Sequence, residues 1–540
     1  MSAAIRVTEP GQRLSQSREY PTRPWVIAFT VTLATFMEIL DTSVANVALP
    51  HIAGGLAASV NESTWVLTSY LVSNGIVLPL SAWAAGLLGR KRFYMGCVAV
   101  FTLSSFLCGI APSLGVLILF RVIQGTGGGG LQPSEQAILT DTFPPEKRGM
   151  AFAVYGMAIL LAPSIGPTLG GYIADHFSWR WIFFINIPVG IVSLVLTNKL
   201  IADPAAARGE PAGTARAHRM IQMDYIGLGL VALGFGSLQV VLDRGQEYDW
   251  FGSHVIVAFG VIGALALTAL LVWEWRCRNP VIDLRLFTRR SFSVAALMIF
   301  VLGLVLYGVT VLLPLFTQQL LGYTPELSGF VLSPGGMTLL VMMPVVGWLS
   351  SRYQARALIA FGFAATAIAL IHLTGLNRTV DLRTLAVDNI YVRVGLAFLF
   401  IPINLLAYLE VPPEKTNQVS SMLNLFRNLG GSIGVSLVTT FLDRREQFHQ
   451  DTISMHVTHF DLAYLYTQSS LAQQLLHAGL SAPDAAHQAV GRIYTAVHAY
   501  ALTEAYLDTM KILAIICMLI LPLSLILKAN DPRASQTLTH

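Results

Sequence analysis

Glu38 and Asp41 are two carboxylates three residues apart inside an apolar stretch, Phe36-Met-Glu-Ile-Leu-Asp-Thr-Ser-Val-Ala-Asn-Val-Ala-Leu-Pro50. In a helix that spacing puts both on one face. A charge within an apolar span costs about 2.5–3.5 kcal/mol on insertion scales, so it persists where it meets water, a cation or a ligand. A carboxylate in such a place suits proton uptake and release. The competing role is a structural ion pair with Arg121 or Arg427. Arg121 stands alone in Leu117-Ile-Leu-Phe-Arg-Val-Ile-Gln-Gly125 and needs an anionic or carbonyl partner. Arg427, a further cation within an apolar segment, is grouped with these three as a candidate for proton coupling or substrate contact.

Other strings resemble chemistry without supporting it. Gly125, Gly127 and Gly130 match GxGxxG, but no strand precedes them and the surroundings read as apolar helix. Close helix packing is the better role for these glycines. Neither a GxxxxGK[ST] phosphate loop nor an HExxH zinc site occurs, so no ATP motor or zinc enzyme is expected. Pro163, Gly166, Pro167, Gly170 and Gly171 cluster in Ala162-Pro-Ser-Ile-Gly-Pro-Thr-Leu-Gly-Gly171. Each proline removes a backbone hydrogen bond, and Gly166 and Gly170 make a small-xxx-small pair. Tight packing and a hinge are both open roles for this segment.

The elements that must carry these residues are membrane helices. Of 540 residues, 54% are hydrophobic and only 12% are Asp, Glu, Lys or Arg, too few charges to cover a soluble protein of this size. Fourteen apolar segments fall at about 26–48, 63–84, 93–111, 114–137, 150–173, 181–200, 224–242, 254–275, 291–316, 327–350, 356–375, 388–409, 417–441 and 507–528. With the N-terminus inside, 23 of the 34 Lys and Arg residues fall on the cytoplasmic side, against 4 in the short outside loops. This bias predicts that both termini are cytoplasmic. The polar start of the chain argues against a cleaved signal peptide.

A weak internal repeat relates Ala82-Trp83 before Gly89-Arg90-Lys91 to Gly347-Trp348 before Arg352, and Arg121-Val122 to Arg393-Val394. Two six-helix halves with two inserted helices between them fit this repeat, as in transporters with a central site. The expected division is a tail 1–25, a bundle 26–200, a linker 201–223, inserted helices 224–275, a loop 276–290, a bundle 291–528 and a tail 529–540. Residues 443–505, inside the second bundle's range, are expected to form a long loop on the outside face with six of the twelve histidines. Its sequence suggests amphipathic helices that act as an ordered cap, a partner-docking surface or, least favoured, a metal site. Cys97, Cys108, Cys277 and Cys517 form no CxxC and are expected to be core residues.

Four strings occur in family order: Asp41-Thr-Ser-Val-Ala-Asn-Val-Ala-Leu-Pro50, Arg121-Val-Ile-Gln-Gly125, Gly166-Pro-Thr-Leu-Gly-Gly171 and Trp179-Arg-Trp-Ile-Phe-Phe-Ile-Asn-Ile-Pro-Val-Gly190. Together they resemble the fourteen-helix drug:proton antiporter branch of the major facilitator superfamily. Gly236-Ser-Leu-Gln-Val-Val-Leu-Asp-Arg-Gly245 and Asp249-Trp-Phe251 narrow the resemblance to the EmrB/QacA type, nearest EmrB. It implies an all-α polytopic fold of fourteen transmembrane helices in groups of six, two and six. It also implies export of hydrophobic or amphipathic compounds in exchange for protons, no cofactor, and a bacterial inner membrane. Asp41 would belong to the proton and substrate region, Arg121 to coupling, Gly166 and Pro167 to the antiporter hinge, and Gly89, Arg90 and Lys91 to a cytoplasmic gate loop. The sequence departs from the family pattern at Ala82 and Gly86, where the gate loop normally carries Gly and Asp. Glu38 lies outside the family motif and rests on the physical argument alone. The resemblance further implies a periplasmic adaptor of the EmrA kind, an outer-membrane channel of the TolC kind, and no nucleic-acid partner. A dedicated exporter or importer of one metabolite, such as a fatty acid, is the alternative on the same fold.

Overall fold

The computed structural model describes residues 23–201, 224–277, 280–376, 380–409, 411–412, 415–458 and 460–527. Nearly all of the expected tails, most of the linker 201–223, Arg378 and His459 lie outside the described residues. Among the described residues the regular structure is all helix: α1 Pro24–Val47, α2 Trp65–Leu88, α3 Arg90–Gly109, α4 Leu114–Gly128, α5 Leu131–Thr142, α6 Arg148–His176 and α7 Asn186–Leu200 make the first half. Then follow α8 Tyr225–Arg244 and α9 His254–Arg276. The second half is α10 Arg290–Leu315, α11 Pro325–Ser350, α12 Ala355–Leu373, α13 Leu382–Ala407, α14 Thr416–Ser454, α15 Leu462–His477 and α16 Ala482–Ile520.

Among the described residues, thirteen helices are long and apolar enough to cross a membrane, with α4 and α5 forming one of them. Lipid offers no partners for free amides, so long apolar segments close their hydrogen bonds internally as helices. The segment expected at 417–441 is the exception on composition. It lies in α14, whose first turns carry Asn417, Gln418, Ser420, Ser421, Asn424, Arg427 and Asn428.

Local sequence explains the ends and bends. Gly89 turns the chain between α2 and α3 with φ 87°, which a side chain disfavours. Asp224 caps α8 by accepting from Gly227 N, and Thr324 caps α11 by accepting from Leu327 N. Pro133 sits in the first turn of α5, where a missing N–H costs little, just past the break between α4 and α5.

In the first half α1 packs on α6, and α4 packs on α2 and α3. In the second α10 packs on α14, and α13 on α11 and α12. The halves meet along two seams, α6 against α11 and α2 against α14, while α8 and α9 pair with each other and α8 lies against α2 and α14. Residues 443–505 are helical almost throughout: α14 runs on to Ser454, α16 begins at Ala482, and α15 packs on α16. The last apolar segment, expected to start near 507, is therefore the end of a 39-residue helix.

The string Gly430-Gly431-Ser432-Ile433-Gly434 reads GxSxG, a pattern that elsewhere marks a strained nucleophile turn. Here it is mid-helix. A methyl group on Gly430 would land 2.0 Å from the Phe300 carbonyl oxygen, and one on Gly434 would land 2.3 Å from that of Leu304. The string is a close-packing stripe between α14 and α10.

Candidate functional site

Asp41 and Arg121 meet inside the first half. Arg121 Nη1 donates to Asp41 Oδ2 at 2.5 Å, and the residues are 0% and 2% exposed. Arg121 Nε donates to the Val66 carbonyl at 2.9 Å, and its guanidinium lies 4.4 Å from the centre of the Tyr70 ring. Asp41 Oδ1 accepts from Asn186 Nδ2 at 2.7 Å and from Gln124 Nε2 at 3.1 Å. Groups from α1, α2, α4 and α7 thus converge on one ion pair. Breaking such a pair by removing one partner costs about 3–5 kcal/mol, because the other charge stays buried.

Glu38 is 4% exposed and points elsewhere. Its Oε1 accepts from Asn74 Nδ2 at 3.1 Å and from the Tyr70 hydroxyl at 3.2 Å, and its Oε2 accepts from Gln132 Nε2 at 2.7 Å. The two carboxylates do not face one another as a pair. The 60° between positions three apart sends Asp41 into its own half and Glu38 towards α5 and the second half. The alternative of an ion pair holds for Asp41, with Arg121. Among the described residues Arg427 makes no ion pair with Glu38 and is hydrogen-bonded to it through Gln132, whose Oε1 accepts from Arg427 Nη2.

That contact starts a polar chain across the halves. Arg427 Nη1 donates to the Tyr155 hydroxyl at 3.3 Å, and Tyr155 donates to Asn424 Oδ1 at 3.0 Å. Asn424 Nδ2 donates to Gln136 Oε1 at 3.0 Å, and Gln136 Nε2 donates to Asn404 Oδ1 at 3.3 Å. The chain joins α5 and α6 to α13 and α14 towards the end where Arg90 lies, since Arg90 Nη1 donates to Ala137 O, the next residue of α5, at 3.0 Å.

Sequence reasoning missed Glu135. It is 0% exposed in α5; Thr32 Oγ1 donates to its Oε1 at 2.5 Å, and its Oε2 has no hydrogen-bond partner among the described residues. A carboxylate within a counted apolar segment was the available signal. Gln132, Gln136, Asn74, Asn186 and Tyr155 had no such signal, because neutral polar residues in a span do not reveal from sequence which face they occupy.

The segment Pro163–Gly171 packs α6 against α1. A methyl group on Gly166 would land 2.1 Å from Ser43 Oγ, and one on Gly170 would land 3.0 Å from both Cα and O of Val44. Gly171 is looser, 3.9 Å from Val47. Pro167 has no N–H for the carbonyl of Pro163, and Ser43 Oγ donates to that oxygen at 3.4 Å. At the start of α3 Arg90 pairs with Asp141, and Lys91 Nζ donates to Asn198 O at 2.8 Å. Where α14 meets α16, Asp508 Oδ2 accepts from His449 Nε2 at 2.9 Å and from Arg445 Nε at 2.8 Å, and His498 lies 3.0 Å from Glu446. Burial holds the Glu446 carboxyl above its usual range, and His498 partly offsets this. No group of three or more His, Cys, Asp or Glu is placed to hold a metal among the described residues.

Two helical halves, a polar chain between them and a buried ion pair in one of them make the architecture of a multi-pass membrane transporter. The chain belongs to the Major Facilitator Superfamily, whose family model matches residues 31–435. It is 36% identical to the multidrug export protein EmrB of Escherichia coli (strain K12) over 470 residues, 84% of this chain and 90% of that one. It is also 36% identical to the fatty acid resistance protein FarB of Neisseria gonorrhoeae over 455 residues, 84% of this chain and 88% of that one. The structure of the human organic anion transporter MFSD10 (TETRAN) overlays with a TM-score of 0.56 at 13% identity, over 93% of this chain and 99% of that one, a likeness of fold.

Proposed function

We infer that this chain is a proton-coupled secondary active exporter of hydrophobic and amphipathic drugs or toxic compounds, working as a multi-pass protein of a bacterial inner membrane. The observation that carries this reading is the buried Asp41–Arg121 pair beside Glu38, which is linked through Gln132 to Arg427 of the other half. Substrate enters from the cytoplasm or inner leaflet. Protonation of Asp41 or Glu38 from outside removes a carboxylate charge that Arg121 or the Gln132 relay engages, and substrate is released. Deprotonation inside restores the site. Proton and substrate each weaken the other's binding, and that coupling is reciprocal.

The proposed topology has fourteen spans, with α14 as the span that its polar face disguises, grouped six, two and six with both termini cytoplasmic. The Lys and Arg bias supports it. The bundles are 26–200 and 291–528, with 224–275 inserted. Pro163, Gly166, Pro167, Gly170 and Gly171 form the hinge that rocks α6 against α1, and Gly89, Arg90 and Lys91 form the cytoplasmic gate, with Asp141 as the acid for Arg90. The α14–α15–α16 extension, with Phe460, Leu462 and Tyr466 exposed, is the proposed dock for an EmrA-like periplasmic adaptor leading to a TolC-like channel. A second reading, a dedicated exporter of fatty acids, draws on the similarity to FarB.

Everted vesicles from an efflux-deficient host test the main reading. A pre-formed proton gradient should drive accumulation of a lipophilic dye, and a protonophore or Asp41→Asn should abolish it. Accumulation that survives both treatments at the parental rate overturns it.

A further inference from the structure

Arg393 in α13 is 1% exposed, yet its hydrogen bonds are long ones to neutral groups. Its Nε donates to Asn389 Oδ1 at 3.4 Å and its Nη2 to Thr310 Oγ1 at 3.3 Å. Among the described residues it makes no ion pair with a carboxylate. A desolvated guanidinium has five donors to satisfy and a charge to balance. Arg121 meets that need with Asp41. Arg427 meets it with Gln132 and Tyr155, and beyond the Gln132 amide with Glu38.

The internal repeat identifies the group that differs. In the first half Arg121 of α4 reaches Asp41 on α1 and the Val66 carbonyl on α2. In the second half Arg393 of α13 reaches Thr310 on α10. Its neighbour Asn389 donates to the Val331 and Leu332 carbonyls of α11 at 3.3 and 3.2 Å. These are the first, second and fourth helices of each half. The cation is kept in both halves, and a threonine stands where the first half has its acid.

We propose that Arg393, with Thr310 and Asn389, forms a binding site for the anionic head of an amphipathic ligand: a single carboxylate, sulfonate or phosphate group on an apolar tail. The proposal deepens the export reading and rests on it, by naming a substrate class for the second half. A guanidinium is suited to this because its planar fork can hold two oxygens of such a head at once. The approach would be along α10, where Tyr307 and Thr310, nearly one turn apart on one face, are only half-buried. Gly335 of α11 packs directly on these two side chains: a methyl group there would land 2.4 Å from Asn389 Nδ2 and 2.9 Å from Arg393 Cγ.

An exported acid and a resident anionic phospholipid share this chemistry, so the test uses both. The full chain in phosphatidylcholine nanodiscs is titrated with dodecanoate, dodecanol and dodecyltrimethylammonium. Dodecanoate should bind more tightly than dodecanol, and Arg393→Gln should weaken it roughly tenfold or more, with Arg393→Lys losing less. Thr310→Asp gives Arg393 an internal anion. It should weaken dodecanoate as strongly while raising the melting temperature, which keeps the test decisive if Arg393→Gln fails to fold. Dodecanoate binding no tighter than dodecanol, or unchanged by Arg393→Gln and Thr310→Asp, overturns a carboxylate substrate. A parallel titration in nanodiscs containing phosphatidylglycerol separates the two sources. Loss of dodecanoate binding there, with phosphatidylglycerol retained by wild type and lost from Arg393→Gln in native mass spectrometry, assigns the site to a lipid head. If neither dodecanoate nor phosphatidylglycerol depends on Arg393, the anion site itself is overturned. Binding needs no proton gradient, so its failure is distinguishable from a failure of proton-driven export.

Discussion

Asp41 accepts from Arg121, Gln124 and Asn186, so its charge is held by donors from two other helices. Asparagine preserves the shape and removes the charge. Asp41→Asn should leave the protein in the membrane with a lower melting temperature, Arg121 being left without its anion, and should reduce gradient-driven export to background; export at the parental rate excludes Asp41 as the coupling group. Arg121→Lys should retain more activity than Arg121→Ala. Lysine keeps the charge, but not the planar fork that bonds Asp41, Gln124 and the Val66 carbonyl together. Equal transport by Arg121, Lys and Ala proteins reduces the residue to packing. Among the described residues Glu38 has three neutral donors and no ion-pair partner, so a lipophilic cation entering the seam would meet a carboxylate without a direct counter-charge. Glu38→Gln should therefore weaken export of a cationic compound several-fold more than that of a matched neutral one, after normalising to protein level. A uniform loss assigns Glu38 to bundle stability.

Helix α6 has α1 on one side and α11 on the other, and small residues allow both contacts. Gly166 faces Ser43 and Gly170 faces Val44, while Gly336 of α11 faces Ser164. Overpacking a tight contact costs about 1–3 kcal/mol. Gly166→Ala should lower the melting temperature and slow transport, and Ser43→Gly in the same chain should restore part of both, because the added methyl group meets Oγ and Cβ of Ser43 at 2.1 and 2.4 Å and the serine backbone only at 3.3 Å. Gly171→Ala, with 3.9 Å to its nearest neighbour, should be close to neutral. If Gly166→Ala and Gly171→Ala behave alike in thermal unfolding and export, α6 does not depend on this close approach.

Across the molecule, Gln136 ties the two halves together near the Arg90 end. It contacts Asn404, Tyr408 and Asn424, all from the second half. Gln136→Ala removes these bonds without touching Asp41 or Arg121. It should shift the population towards the state open at that end. Spin labels or engineered cysteines on α5 and α13 would report a longer mean separation there, and an unchanged distance distribution rejects Gln136 as a latch.

Composition, run length and the sidedness of Lys and Arg were enough to read a polytopic helical membrane protein from the chain alone. These properties are additive along a sequence, and lipid leaves helices as the only economical answer. The buried charges of α1 and α4 were legible for the same reason: an ionised group in an apolar run is conspicuous wherever it points. Which groups it meets depends on azimuth, tilt and the packing of distant helices. Three-residue spacing put Glu38 and Asp41 on one broad face, but only the assembled bundle turned Asp41 to Arg121 and Glu38 to Gln132. The relay through Gln132, Tyr155, Asn424 and Gln136 is built of neutral side chains that leave no charge pattern to read. The polar face of α14 lowered its apolar signal because that face is turned to the other half, and of the helices expected in the region after it, the first is a direct continuation of α14. Partner choice in a buried polar network is a property of three-dimensional proximity, and one chain-local pattern is compatible with many such pairings until the halves pack.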